Sequence, residues 1–272
     1  MTNRLYTPPP PLAQFVKCFW YWEGAPSTHA KEQLMPSGEP ALIVNLRDEA
    51  IRIYDPSDLS RYESFGRAVL SGPRSRPFVI DTEQEDRVFG IAFRAGGTFP
   101  FFRAPLSETA NRDLALDCLW NSSANELRER LLASDNIDNM FSLTEEFLTR
   151  QAVRRLELHP GVVFALHSFC VRPHRTSVAS VLDNLGLSHR RFVQLFHDQV
   201  GLAPKSFCRV QRFQRVLRQV HRASSIDWAD VALSCGYYDQ AHFIHDFQDF
   251  SGFTPTVYAA RATEHLNHVP LL

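Results

Sequence analysis

Along the first hundred residues the apolar positions come in short runs. They occupy Ala41–Leu46, Ile51–Tyr54, Ala68–Leu70, Phe78–Ile80 and Val88–Phe93, separated by turn formers such as Pro36-Ser-Gly38, Asp55–Asp58 and Ser71-Gly-Pro73. Ile51/Ile53 and Phe89/Ile91/Phe93 alternate with period 2, the mark of half-buried strands. Short strands at this spacing predict a small β-barrel or sandwich over residues 1–103. Leu12–Phe19 reads as a short opening helix before the cluster Phe19-Trp20-Tyr21-Trp22. Core packing is favoured for that cluster over a ligand box.

After Ala95-Gly-Gly97 the period lengthens, and 104–157 reads as helical. Ser122/Ser123 precede Glu126–Leu132, and Ser142 precedes Glu145–Leu148; both patterns predict capped amphipathic helices, a hairpin appended to the barrel. His159-Pro-Gly161 interrupts the pattern and sets a domain boundary, dividing the chain into 1–157 and 160–272. Beyond it the spacing is helical throughout. The predicted helices are Val162–Val171, Val178–Leu185, a third capped by Ser188 and ending near Gly201, Pro204 to about Val220, Asp227–Cys235, Tyr238–Phe250, and a last one from Pro255.

This helical part contains a repeat. Phe192/Phe243, Phe196/Phe247, Gly201/Gly252, Pro204/Pro255 and Phe207/Tyr258 are all 51 residues apart, as are the cap residues Ser188 and Asp239. Each copy is a helix, a Gly turn (Gly186, Gly236) and a second helix, which is a helix-turn-helix. A small residue suits the crossing of the two helices. Ala232 supplies it in the second copy, whereas Leu182 stands there in the first. The fold class is therefore α+β: an N-terminal barrel with appended helices, then an all-α domain of two helix-turn-helix units joined by a linker helix.

At about 100° per residue, Phe192, Leu195 and Phe196 share one edge of the first recognition helix and leave Arg190 and Gln194 outward. In the second, Phe243, Phe247 and Phe250 leave Ala241 and His245 outward; His189, Val193, Gln240, His242 and Ile244 flank these positions. Arg bonds guanine bidentately, Gln and His reach base edges, and Ala meets a thymine methyl. These nine residues are the candidate base readers, with His242 better suited to packing on its helix flank. Arg175, Lys205, Arg209 and Arg212 are candidates for phosphate contact. The linker helix from Pro204 to Val220 is about 25 Å long at 1.5 Å per residue. That length suits two recognition helices in successive major grooves, roughly 34 Å apart, so that a monomer covers an asymmetric site.

Charge changes this picture little. Residues 1–159 hold 18 Lys/Arg against 22 Asp/Glu, a formal −4, while 160–272 hold 11 against 8, a formal +3, with nine of the eleven histidines. The balance permits a nucleic-acid partner without demanding one. The five cysteines are scattered, with no CxxC pair, which fits a reducing cytoplasm. No signal peptide or membrane span is expected. The acidic run Asp81–Asp86 reads as a solvated loop.

An enzyme is disfavoured. A metal-dependent barrel enzyme needs several His or carboxylates on one ion, and residues 1–158 hold one histidine, His29. No Gly-rich phosphate loop, nucleophile elbow or cysteine-nucleophile motif is present. No catalytic residue, metal site or cofactor is assigned. The competing class is a helical protein-interaction module without direct DNA reading.

Residues 161–260 resemble the DNA-binding region of AraC/XylS-type transcription regulators. Ala232–Phe247 followed by Gly252-Phe-Thr-Pro255 is similar to the family signature, and Ser188–Phe196 with Gly201-Leu-Ala-Pro204 and Arg212-Phe213 resembles the first half. Gln194 and His245 stand where the family often has Arg. The resemblance implies sequence-specific promoter binding and activation through RNA polymerase contacts. Leu34-Met-Pro-Ser-Gly38, Ser71-Gly-Pro73 and Gly90–Gly97 resemble the cupin-like sensor half of some members, with Ala95 in place of a frequent Pro. That implies small-molecule effector sensing or homodimerisation there.

Overall fold

The computed structural model describes residues 2–25, 29–82, 86–173, 176–223, 225–263 and 265–271. The N-terminal strands are β1 (Thr2–Tyr6), β2 (Val16–Glu23), β3 (Lys31–Leu34), β4 (Ala41–Asn45), β5 (Ile51–Asp55), β6 (Asp58–Phe65), β7 (Ala68–Ser71), β8 (Phe78–Asp81), β9 (Arg87–Phe93) and β10 (Asp113–Ala115). The helices are α1 (Leu116–Trp120), α2 (Ser122–Leu132), α3 (Ile137–Gln151), α4 (Pro160–Val171), α5 (Val178–Leu182), α6 (His189–Val200), α7 (Pro204–Arg222), α8 (Trp228–Ser234), α9 (Gln240–Ser251) and α10 (Pro255–Arg261). One further strand, β11 (His268–Leu271), follows them.

The strands form two antiparallel sheets, ordered β1-β2-β9-β4-β7-β10 and β11-β3-β8-β5-β6. Strand periodicity decides what each face of the first sheet meets. Phe19 and Tyr21 of β2, Leu42 and Val44 of β4, and Phe89 of β9 are buried in a core that the α2–α3 hairpin closes with Leu127, Leu131, Phe141 and Phe147. The intervening Trp20, Ala41 and Ile43 face the second sheet instead, across a cavity. The aromatic cluster is thus divided by the pleat into core residues and a cavity wall. Gly90 lies opposite Trp20 in the β2–β9 ladder, and a Cβ there would come within 2.0 Å of the indole, so no side chain fits.

Several sequence expectations are corrected. The opening helix is only a 3-10 turn, Leu12–Gln14, and β2 takes up the chain from Val16. β6 was hidden because nearly all of it is solvent-exposed, so no apolar period marks it. α3 begins at Ile137, capped by the Asn136 side chain accepting from Asn139 N at 2.9 Å; Ser142 lies inside it and donates to the Asp138 carbonyl at 3.1 Å. Asp81 is not solvated: it is buried at the end of β8 and accepts from Tyr54 Oη at 3.1 Å. Asp86 accepts from Arg47 Nε at 3.1 Å, while residues 83–85 of that run lie outside the described residues.

The helical part has two cores. α4 to α6 and the start of α7 enclose Phe169, Phe192, Phe196 and Phe207. The rest of α7 with α8 to α10 encloses Phe213, Phe243, Phe247 and Tyr258, joined by Met35 from the β3–β4 connection and Val269 of β11. The end of the chain is therefore a strand docked on the N-terminal half, which helical periodicity did not foreshadow. β11 pairs with β3 from His268 opposite Leu34 to Leu271 opposite Lys31.

Candidate nucleic-acid interface

The two helix-turn-helix units are built alike, with one offset. Ser177 and Asp227 cap α5 and α8, Val181 and Val231 are buried behind them, and Gly186 and Gly236 turn the chain at φ +61° and +81°. These pairs are 50 residues apart, whereas everything from the caps Ser188 and Asp239 onward is 51 apart. The second turn has one more residue, and Tyr238, 90% exposed, takes that place.

Each recognition helix is held by the same devices. Ser188 accepts from Arg191 N at 3.3 Å and Asp239 from His242 N at 2.7 Å, and the helices end at Gly201 and Gly252 in the left-handed region. Phe192, Leu195 and Phe196 are buried beneath α6; Phe243, Phe247 and Phe250 beneath α9. His189, Arg190 and Gln194 are left exposed on α6, and Gln240, Ala241, His242 and His245 on α9. Val193 and Ile244 are half-buried against the two cores, so they form the edges of these faces.

The exposed faces carry internal partners. Gln194 Nε2 donates to both oxygens of Asp198 at 2.9 and 3.0 Å, and His245 Nδ1 lies 3.7 Å from Asp249 Oδ2. Both carboxylates sit four residues on, so the repeat reproduces the pairing as well as the fold. The His242 ring stands edge-on to Tyr237 at 5.3 Å, which ties it to its own turn, as expected for a flank residue.

The cationic candidates separate. Arg175 lies outside the described residues. Lys205 is exposed near the start of α7. Arg212 lies with its guanidinium 5.3 Å from the Tyr237 ring centroid, its Nε buried without a hydrogen-bond partner. Burial pushes the Tyr237 hydroxyl pKa far up, so that ring stays neutral beneath the cation. Arg209 donates to Asp246 from Nε at 3.0 Å and from Nη2, and to Asp249 at 3.4 Å. It braces α7 against α9, which leaves less of it for a phosphate than sequence reasoning assigned. The signal for this brace was legible: Asp246 occupies the apolar stripe Phe243-Phe247-Phe250, and a buried carboxylate there requires a cation.

An open groove of about 750 Å³ gathers these residues between the units. Lys205, Arg209 and Arg212 form its floor on α7, Ser177 at the head of α5 one wall, and His242 and His245 of α9 the other. Ser177 was not singled out in the sequence; the pattern Ser177-x-x-Ser180, a capping box in the structure, was its signal. Among the described residues no cluster of His, Cys, Asp and Glu is arranged to hold a metal, and no helix is long and apolar enough to cross a membrane.

Residues 181–261 match a family of helix-turn-helix domains, and residues 4–115 match a domain of unknown function (DUF6597). No curated protein matches the chain. Among solved structures, it is similar to ToxT from Vibrio cholerae O395 bound to a methylnaphthalenyl butenoic acid, at 10% identity and a TM-score of 0.48, covering 96% of this chain and 99% of that one. A DNA-binding transcriptional dual regulator from Escherichia coli K-12 is similar at 24% identity and a TM-score of 0.31, over 38% of this chain and 93% of that one. At these scores the functional reading rests on the domain families and on the chain's own geometry.

Proposed function

From the premise that residues 181–261 are a helix-turn-helix domain of the AraC type, we propose that the chain is a sequence-specific DNA-binding transcription regulator that sets α6 and α9 into successive major grooves. The observation that carries this reading is the repeated unit, capped and backed alike in both copies, with a cation-floored groove between the two helices. α7, 19 residues long, spans about 28 Å at 1.5 Å per residue. This suits helices about one turn of duplex apart, roughly 34 Å, on an asymmetric site read by one chain.

In this reading Arg190, Gln194, Ala241 and His245 meet base edges, with His189, Val193, Gln240, His242 and Ile244 beside them. Lys205 and Arg212, with Arg175, position the phosphates, and a backbone segment crosses the groove between the units. Residues 160–272 carry out this reading, and residues 1–157 respond to a small effector or pair two copies of the chain. The protein acts in the cytoplasm as an activator that contacts RNA polymerase, and it is not an enzyme.

The test is duplex binding by the full chain. A duplex enriched by the protein from a random-sequence pool is titrated at several salt concentrations. Phosphate contacts release counterions, so affinity falls steeply as salt rises. Salt-insensitive behaviour, with no duplex enriched and a protein partner retained, would replace this reading with that of a protein-interaction module.

A further inference from the structure

The two sheets enclose a cavity of about 320 Å³ whose walls are apolar side chains left only half-buried, among them Trp20, Leu34, Ile43, Ile53, Phe78 and Ile80. Apolar groups from two facing sheets normally bury one another. Here they surround a space of the size that takes a small molecule. Its polar feature is an ion pair. Arg74 donates to Asp113 Oδ2, to Ser71 Oγ at 3.2 Å, and covers the Phe78 ring at 4.0 Å. Both side chains are more than nine-tenths buried, at 9% and 6% exposure.

The two partners are left in different conditions. The guanidinium is committed to Asp113, Ser71 and Phe78, whereas Asp113 Oδ1 is buried and has no hydrogen-bond partner in the protein. A buried carboxylate oxygen in that state calls for a donor. The other acid on the wall, Glu39, bonds Lys17 at 2.9 Å outside the cavity, so no free cation faces the space from these groups. Arg74, Asp113, Phe78 and Ile53 also line an adjoining open groove of about 630 Å³, which gives a ligand a way in.

The opposite end of the cavity is closed by the C-terminal strand. Asn267 and His268 line it. His268 Nδ1 is 2.7 Å from Glu32 Oε2, and Asn267 O accepts from Met35 N at 2.8 Å. Gln214, in the middle of the linker helix α7, donates to Asn267 Oδ1 at 2.8 Å and to Pro36 O at 2.9 Å. One side-chain amide therefore ties the cavity wall to the helix that spaces the two DNA-reading units.

We infer that this cavity binds a small apolar molecule ending in a hydrogen-bond donor, a hydroxyl or an ammonium, seated on Asp113, and that the Asn267–Gln214 contact passes its occupancy to α7. The second half rests on the effector-responsive reading above; the binding site does not. Calorimetry on the full chain with 4-phenylbutylamine, 4-phenylbutan-1-ol and 4-phenylbutanoate compares three head groups on one apolar body. The amine and the alcohol bind, and the carboxylate is weaker by about tenfold or more, roughly 1.4 kcal/mol. Asp113→Asn reverses the order, because Arg74 then faces the site without its counter-charge; a variant that has lost its fold binds none of the three. Ala92→Phe, which projects a ring from the cavity wall, weakens all of them in an otherwise intact chain. Preference for the carboxylate in the wild type, an order unchanged by Asp113→Asn, or no binding by any of the three overturns the site. If the site stands, saturating amine changes affinity for the enriched duplex, and Gln214→Leu abolishes that change while leaving amine binding intact. Amine binding without any effect on duplex affinity in the wild type overturns the coupling and the effector reading together, and leaves the site standing.

Discussion

Arg209 on the linker helix donates from Nε to Asp246 on the second recognition helix at 3.0 Å, and the two ends of this pair are unequally buried. The Arg209 side chain is 41% exposed and that of Asp246 only 3%. Removing the cation strands a buried charge, at a cost of about 3 kcal/mol. Removing the carboxylate leaves a guanidinium that water and Asp249 can still reach, at about 1–2 kcal/mol. Arg209→Ala is therefore the more destabilising substitution. Urea midpoints that are equal, or in the reverse order, would show that the pair does not brace α7 to α9 as described.

The two outward faces lie on separate units, so their losses separate along the DNA. Arg190→Ala weakens protection at one half of the footprint and His245→Ala at the other, each by about 1–3 kcal/mol. Footprints of both variants that match the wild type at every base would remove these two residues from the reading face.

Lys205 is exposed on the groove floor, on α7 rather than on either recognition helix. Lys205→Ala lowers affinity for all duplexes alike and reduces the slope of log affinity against log salt by about 1. A changed base preference with an unchanged slope would place Lys205 at a base edge instead.

Glu32 joins the N-terminal sheet to the chain's last strand. Burial pushes its carboxyl up, but hydrogen bonds and charge from His268, and then from His29, outweigh burial and hold it below its ordinary range. A depressed folded value stabilises the fold above the unfolded value of about 4.3, and that stabilisation is lost as pH falls through the folded value. The stability gap between wild type and Glu32→Gln thus shrinks as pH falls below about 5. Urea titrations across that range check it; a gap that grows on acidification contradicts the sign.

Much of the helix-turn-helix half was legible in the chain. Ser188, Phe192 and Gly201 with Asp239, Phe243 and Gly252 specify cap, buried edge and helix end through contacts a few residues apart, and local contacts are what periodicity records. The strands Ala41–Asn45, Ile51–Asp55 and Arg87–Phe93 were legible for the same reason, each having one apolar face turned inward, to the core in β4 and β9 and to the cavity in β5. β6 was not, because a solvated edge strand shows no apolar alternation.

What the tertiary structure alone decided depends on residues far apart in the chain. Asp246 called for a cation, but only the fold decided that the cation is Arg209, a phosphate candidate in the sequence, and Trp20 looked like core until the pleat turned it toward the second sheet. The last strand is the clearest case. His268–Leu271 has no helical period and little strand pattern of its own, and it becomes a strand because β3 offers an edge, Glu32 a hydrogen-bond partner and Met35 with α7 a place to bury Val269. The sequence by itself determined two helix-turn-helix units and a β-rich partner, because helix caps, turns and alternation are short-range. How the partner is closed, and which α7 cation is tied to the second recognition helix, follows from pairings across more than 30 residues of chain, which no local pattern encodes.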